Sequence, residues 1–397
     1  MSTSLSIAWP FDQLPIYLIV DDGAPLLNLD HWEQPNEDHV AVIPNEFLRQ
    51  FIHGVQERGV RGKFTVLPYP MGLGAIDQSL PGVSPQLLQE FLQLVRDELE
   101  PWFDITPEIL THLNALDAYH DWLPLPFSEK RMISYHTEDS LILYFRRALQ
   151  ILNQAGLHPK GMTSPGTFGI EAEERYVSAL AQAFRQETDV EVPFYYLHTD
   201  PLSLNIPPRL HAADPLQVVH VSSGHGDPLW PTKYGRPSTI DALLDANGQS
   251  GRIQQLVLHR SPIGFHTHWS SLYSDGSAVG LQELWRLIDR ITAHYGNDIR
   301  WIRCSDLVQY VARVANVTVT TQESISELTV TLTSSQPVAD FTLYLSKEPI
   351  LVRLNGRILT RTDRPRAEGW WSARGHSVIT WHLKPSQAEL VVQFESR

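Results

Sequence analysis

The stretch Ile16-Tyr17-Leu18-Ile19-Val20-Asp21-Asp22-Gly23 runs apolar without a break and then stops on two carboxylates and a glycine. A strand that is apolar on both faces belongs to a parallel sheet covered by helices, because a half-exposed antiparallel strand would alternate. Its abrupt end carries the second message. Two adjacent charges at the edge of a buried strand must each find a partner, whether a cation, a proton or the donors of a turn.

Outward from this strand, short β-branched and aromatic runs alternate with amphipathic segments, the pattern of parallel strands joined by crossover helices. A helix is expected from Pro44 to Arg58, followed by a second strand at Lys63-Phe-Thr-Val-Leu67. Ser84 as N-cap, Pro85 in the first turn and Leu88, Phe91, Leu92, Val95 and Leu99 on one stripe mark the next helix, which Pro101 stops. Thr137 is expected to cap a helix reaching Gly156, and Ile133-Ser-Tyr135 reads as a short strand. Further strands are expected at Met162-Thr163, Val192–Leu197, Gln217–Val221, Pro262–Thr267 and Arg300–Ile302, with helices over 171–185, 279–295 and 306–315. These repeats predict an α/β fold, a distorted (β/α)7-type TIM-like barrel over 1–315, whose chemistry gathers at the carboxyl ends of the strands. An open doubly wound sheet has the same period, but no G-x-G-x-x-G follows the first strand and no phosphate-binding G-x-x-x-x-G-K-[ST] occurs.

From residue 316 the texture changes to strict alternation, as in Leu328-Thr-Val-Thr-Leu-Thr and Val378-Ile-Thr-Trp-His-Leu, with Asn355-Gly356 as a hairpin turn. A small antiparallel β-sandwich domain is expected over 316–397. The chain of 397 residues carries a net charge of −14, and beyond residue 315 it is balanced, 9 basic residues against 8 acidic. The acidity of the first part repels phosphate backbones and anionic lipid, so neither nucleic acid nor membrane is an expected partner. A single cysteine, Cys304, excludes an internal disulfide framework. The opening residues lack the basic and long apolar regions of a secretory leader, which gives cytoplasm as the expected compartment; a trimmed secreted chain would read the same.

Position sorts the 17 histidines. His112 follows a third expected strand, and with Asp22 it would supply two of the three protein ligands usual at a catalytic metal site. His266 and His268 lie two apart on a late apolar strand and point to one side, so one could act as a general acid or both could chelate. Trp269 and Tyr273 offer flat faces on which sugar rings stack. The loops Ser164-Pro165-Gly166 and Ser222–Trp230 are expected to shape a pocket, with Asp227 and Trp230 as ligand contacts. No G-x-S-x-G elbow is present, so a serine hydrolase lacks its usual signature.

In this order the features resemble the polysaccharide deacetylase (NodB-like) branch of the glycoside hydrolase/deacetylase barrels, over about the first 310 residues. Ile19-Val-Asp21-Asp22-Gly23 stands where that family ends its first strand on Thr-Phe-Asp-Asp-Gly. The resemblance implies Asp21 as general base, Asp22 and His112 as ligands of a divalent metal, with zinc the expected ion, and His268 as acid with His266 as its rival. It implies a metal-dependent hydrolase that removes an acyl group from an N-acylated or modified carbohydrate. Two departures stand out. The family's second histidine, four residues after the first, would fall on Leu116, which leaves Asp117, His120 or a more distant residue as third ligand. The arginine of the family's Arg-Pro-x-Gly loop is absent before Pro165. A glycoside hydrolase using two carboxylates among Asp21, Asp22 and Asp227, or a non-catalytic carbohydrate-binding relative, are the alternatives.

Overall fold

The structure, a computed structural model, describes residues 3–27, 41–363, 367–373 and 376–395. After strand β1 (Leu5–Ala8) the chain enters β2 (Leu14–Gly23), and a βα alternation follows. It runs through α1 (Asn45–Arg58), β3 (Gly62–Val66), α2 (Pro85–Leu94) and β4 (Phe103–Pro107) to an inserted hairpin, β5 (Asn114–Leu116) and β6 (Pro124–Ser128). Then come α3 (Glu138–Gln154), β7 (Gly161–Thr163), α4 (Glu173–Glu187), β8 (Phe194–Thr199), β9 (Arg209–Ala212) and β10 (Gln217–Ser223). The series closes with α5 (Ile240–Leu243), α6 (Arg252–Leu258), β11 (Ile263–His268), α7 (Trp269–Tyr273), α8 (Val279–Tyr295), β12 (Ile299–Trp301) and α9 (Cys304–Ala315). Ser84 and Thr137 cap their helices as the sequence predicts, accepting the N–H of Leu87 and of Ser140, each at 3.2 Å. Residues 133–135 are not a strand. Their β-branched signal is too short, and a 3-10 turn occupies Glu129–Ser134 instead.

The chain divides into two compact units, one of residues 16–296 and 301–308, the other of residues 1–15, 297–300 and 309–397. In the first, a parallel path β11-β2-β3-β4 and a second sheet β7-β8-β10, with β9 antiparallel at its edge, carry the site. Parallel bridges Ile105↔Pro159 and Glu108↔Thr163 join the β4 side of one sheet to the β7 side of the other. At the opposite side Gly224 N–H donates to Gly264 O. That approach needs glycine: a Cβ on Gly264 would lie 2.3 Å from Ser222 O. Beneath α1, Phe47, Phe51, Phe64, Phe103 and Trp269 form a buried aromatic cluster, each ring worth roughly 1.5–3 kcal/mol in burial.

The strand pairs of the second unit are antiparallel, with one isolated parallel bridge between Arg361 and Trp370 among the described residues. Its strands are β13 (Thr318–Glu323), β14 (Glu327–Ser334), β15 (Val338–Leu345), β16 (Leu351–Leu354), β17 (Arg357–Ile358), β18 (Gly369–Ala373), β19 (His376–Leu383) and β20 (Ser386–Gln393). They form two sheets, β1-β15-β19-β18 and β13-β14-β20-β16-β17, whose alternate apolar residues meet in one cluster. Leu5–Ala8, far from this segment in sequence, belongs to the same unit and pairs with Thr342–Leu345. Among the described residues no helix is long and apolar enough to cross a membrane.

Candidate active site

An ordinary strand would send Asp21 and Asp22 to opposite faces. Strand β2 does not, because Val20 pairs with Phe64 and Gly23 with Val66, so β2 holds one more residue than β3 across that interval. Asp22 absorbs the extra residue at φ 65, a bulge that turns its carboxylate toward the same cluster of charges as that of Asp21.

Asp21 Oδ1 lies 2.6 Å from Lys63 Nζ and 3.0 Å from Thr65 Oγ1. Lys63 is fully buried, and its ammonium also donates to Thr65 Oγ1 at 3.0 Å and Thr163 Oγ1 at 2.5 Å, beneath the Tyr196 ring. Three N–H groups thus meet three acceptors, the condition under which a buried charge is tolerated. Burial alone would raise the Asp21 carboxyl, but Lys63, His266 and His268 outweigh it and hold it below the usual carboxylate value.

Asp22 faces other partners. Its Oδ1 is 3.0 Å from His112 Nε2, and Glu108 Oε1 is 3.4 Å from that nitrogen. Donor atoms of Asp22, Glu108 and His112 all lie within 4.8 Å of one another. Asp22 Oδ1, although buried, accepts no hydrogen bond, while Glu108 Oε2 accepts the Asp22 N–H at 3.0 Å. Burial and the charges of Asp22 and Asp21 push the Glu108 carboxyl well above its ordinary value. Burial lowers His112 despite Asp22, leaving an imidazole lone pair to share. A divalent cation fits this group: it would satisfy the orphaned oxygen and relieve the crowded carboxylates. The third donor is Glu108, four residues before His112 rather than four after. Asp117 and His120 pair with each other instead, at 2.9 Å, with the His120 side chain 74% exposed.

His112 stands at φ 66 and Ile109 at φ 42, left-handed positions that cost a non-glycine residue roughly 1–2 kcal/mol each. Glu129, fully buried, holds this loop in place. Its Oε1 accepts the N–H of Leu110 and Thr111 and the Tyr144 hydroxyl, and its Oε2 accepts the His112 N–H at 2.7 Å. Burial pushes the carboxyl up to about 7 against the pull of those donors.

His268 ends β11, in register with Asp21 on the neighbouring strand. Its Nδ1 is 2.9 Å from Asp227 Oδ2, which also accepts the His268 N–H at 3.1 Å and the Ser271 hydroxyl at 2.8 Å. Burial would lower the His268 ring, yet Asp227, Asp22 and Asp21 raise it to about 9. His266 goes the other way, to about 4, through burial and the neighbouring His268 charge. One histidine of the pair is thus charged and the other neutral at pH 7, a distinction their spacing alone does not make. The donor atoms of Asp21, His266 and His268 also cluster within 4.8 Å, but the Lys63 ammonium and a protonated His268 oppose a further cation there.

Two expectations for substrate contacts are corrected, those for Asp227 and Trp269. Asp227 is turned to His268, with its side chain 3% exposed, and Leu229 N–H takes its other oxygen. Trp269 is 1% exposed and packs on Phe47 and Phe64 at ring distances of 4.7 and 5.2 Å, so it is core and offers no face to a sugar. Tyr273 packs edge-on against Phe47 in the same cluster. Trp230 remains by the reacting groups, half-buried, its ring 4.7 Å from that of His268, with Lys233 Nζ 5.0 Å above it. In the 164–166 loop Ser164 donates to Tyr176 OH at 2.9 Å, Pro165 is buried, and Gly166 is exposed at φ 54 beside Lys130.

No protein-family model matches the chain, and no curated protein matches it. Solved structures similar to it include Puue allantoinase, at 11% identity and TM-score 0.44 over 76% of this chain and 91% of the other. Another is a probable polysaccharide deacetylase from Pseudomonas aeruginosa PAO1, at 11% identity and TM-score 0.41 over 76% and 92%. A third is a glycoside hydrolase family 30 xylanase from Clostridium acetobutylicum, at 8% identity and TM-score 0.32 over 98% and 97%. With identities and scores at this level, the chemistry rests on the site's own geometry.

Proposed function

We propose that this chain is a metal-dependent hydrolase of the polysaccharide deacetylase type, acting on an N-acylated or otherwise modified carbohydrate. In this reading β2, β3, β4, β7, β8, β10 and β11 form a seven-stranded ring, and the second unit is a β-sandwich. One observation carries the proposal: an ionised Asp21 and a protonated His268 sit on adjacent strands beside the Asp22–Glu108–His112 group. Asp22, Glu108 and His112 would hold a divalent ion, zinc by the mixed carboxylate and imidazole set, which when bound supplies Lewis-acid polarisation of an acyl carbonyl. Asp21, kept ionised by Lys63, takes the proton of an attacking water. His268, charged through Asp227, gives its proton to the departing amine. Trp230 offers a ring face to a sugar. A two-carboxylate glycosidase loses one of its three candidates, since Asp227 is committed to His268.

The test follows acetate and new reducing ends together, with N-acetylglucosamine oligomers as substrate and protein stripped by a chelator, then reloaded with Zn²⁺. Acetate release that needs the ion and disappears in Asp21→Asn and His112→Ala supports the reading. Reducing ends without acetate, or failure to bind a stoichiometric ion, would end it.

A further inference from the structure

A second group of side chains that could hold a metal ion lies on the other face of the sheet. Tyr195 of β8 and His220 of β10 are register partners, and they point away from the face on which Tyr196 reaches His266. The start of α4 covers them with Glu173. Donor atoms of Glu173, His198 and His220 lie within 4.8 Å of one another, with Glu173 Oε2 3.1 Å from His198 Nε2. His220 is 1% exposed, and its Nε2 has no hydrogen-bond partner. Its Nδ1 lies 3.2 Å from Ser222 Oγ. If Nδ1 carries the proton and gives it to Ser222, Nε2 presents a buried lone pair. The other tautomer would bury an N–H with no acceptor, a cost of about 1–3 kcal/mol.

We propose that Glu173, His198 and His220 form a second cation site, taking a zinc-class divalent ion through one carboxylate oxygen and two imidazole nitrogens. The surroundings match what such sites require. Glu173 Oε1 is held by the Tyr195 hydroxyl at 2.7 Å and Arg209 Nη2 at 3.0 Å, which leaves Oε2 to ligate. Arg209 Nη2, which can only donate, also lies 3.4 Å from His220 Nδ1, so ligation through Nε2 requires that guanidinium, 52% exposed, to turn from Nδ1. The His198 and Glu173 side chains are 27% and 23% exposed, so the remaining coordination position opens to solvent. A bound ion would tie the first turn of α4 to the ends of β8 and β10.

This site is independent of the proposed activity, and one titration separates the two. Chelator-stripped full-length protein is titrated with Zn²⁺ against a chromophoric chelator, in the wild type, His198→Ala, Glu173→Gln and His112→Ala. Two equivalents are expected for the wild type, one for each variant and none for the His112→Ala/His198→Ala double variant. Zn²⁺ should also raise the thermal midpoint of His112→Ala and leave that of the double variant unchanged. A single wild-type equivalent that survives His112→Ala and vanishes in His198→Ala supports this site and removes the ion from the proposed mechanism. Wild-type stoichiometry retained in both His198→Ala and Glu173→Gln, or no binding to His112→Ala, overturns it. Both outer-site substitutions are at partly exposed positions, and far-UV circular dichroism checks that the variants fold.

Discussion

Replacing Asp227 by Asn keeps the shape of the contact to His268 and removes its charge. The gap between about 9 in the folded protein and the ordinary imidazole value of about 6.5 corresponds to about 3 kcal/mol favouring the imidazolium. Asp227 is the largest favourable contributor, so its loss moves the ring down, and a ring returned to the ordinary value of about 6.5 sets the scale of the effect. At pH 8 the charged fraction then falls from roughly nine-tenths to about 3%, a loss of about 30-fold. At pH 5.5 little changes. The raised value also makes a stability prediction: the imidazolium stabilises the fold in full below about pH 6.5, and that contribution is lost as pH rises through about 9. Long-range ¹H–¹⁵N NMR of the imidazole rings reads the titration directly, without a substrate. A wild-type His268 titrating near 6.5, or an Asp227→Asn ring still titrating near 9, would refute the assignment of His268 as the charged acid.

Two further substitutions test the supports of the site. Lys63→Met strands the Asp21 carboxylate, which should cost about 3–5 kcal/mol in urea unfolding. It should also raise the Asp21 pKa, so that the acid limb of the pH–rate profile moves up; an unmoved limb would show that Lys63 does not set the base. Glu129→Gln keeps the volume but turns an amide N–H₂ toward the backbone donors it must accept, so Zn²⁺ binding at Asp22–Glu108–His112 should weaken by about 10-fold or more, with Glu129→Asp recovering part of it. Equal Zn²⁺ affinity in wild type and Glu129→Gln would mean that the loop holds His112 without that carboxylate.

The βα alternation and the first-strand aspartates were legible because both are local signals: period sets the element, and a charge beside an apolar run sets the site. Asp22 and His112 meet as expected, yet their third partner was sought on the wrong side. Glu108 follows Pro107 in a loop with no periodic signature, and only the folded chain shows it beside Asp22. Lys63 escaped notice because a lysine opening a strand normally reaches solvent; here it is sealed under Tyr196. Trp269 misled for the opposite reason, since an aromatic beside a candidate histidine reads as a platform until its neighbours, Phe47 and Phe64, are known. Likewise the spacing of His266 and His268 put both on one side, but only the Asp227 contact, made across 41 residues, tells them apart.

The pairing of Leu5–Ala8 with β15 brings the first described strand against one that lies far along the sequence. Cutting the gene after codon 315 would release a product whose leading strand has lost its hydrogen-bonding companion, so a fragment cut there should start near residue 16.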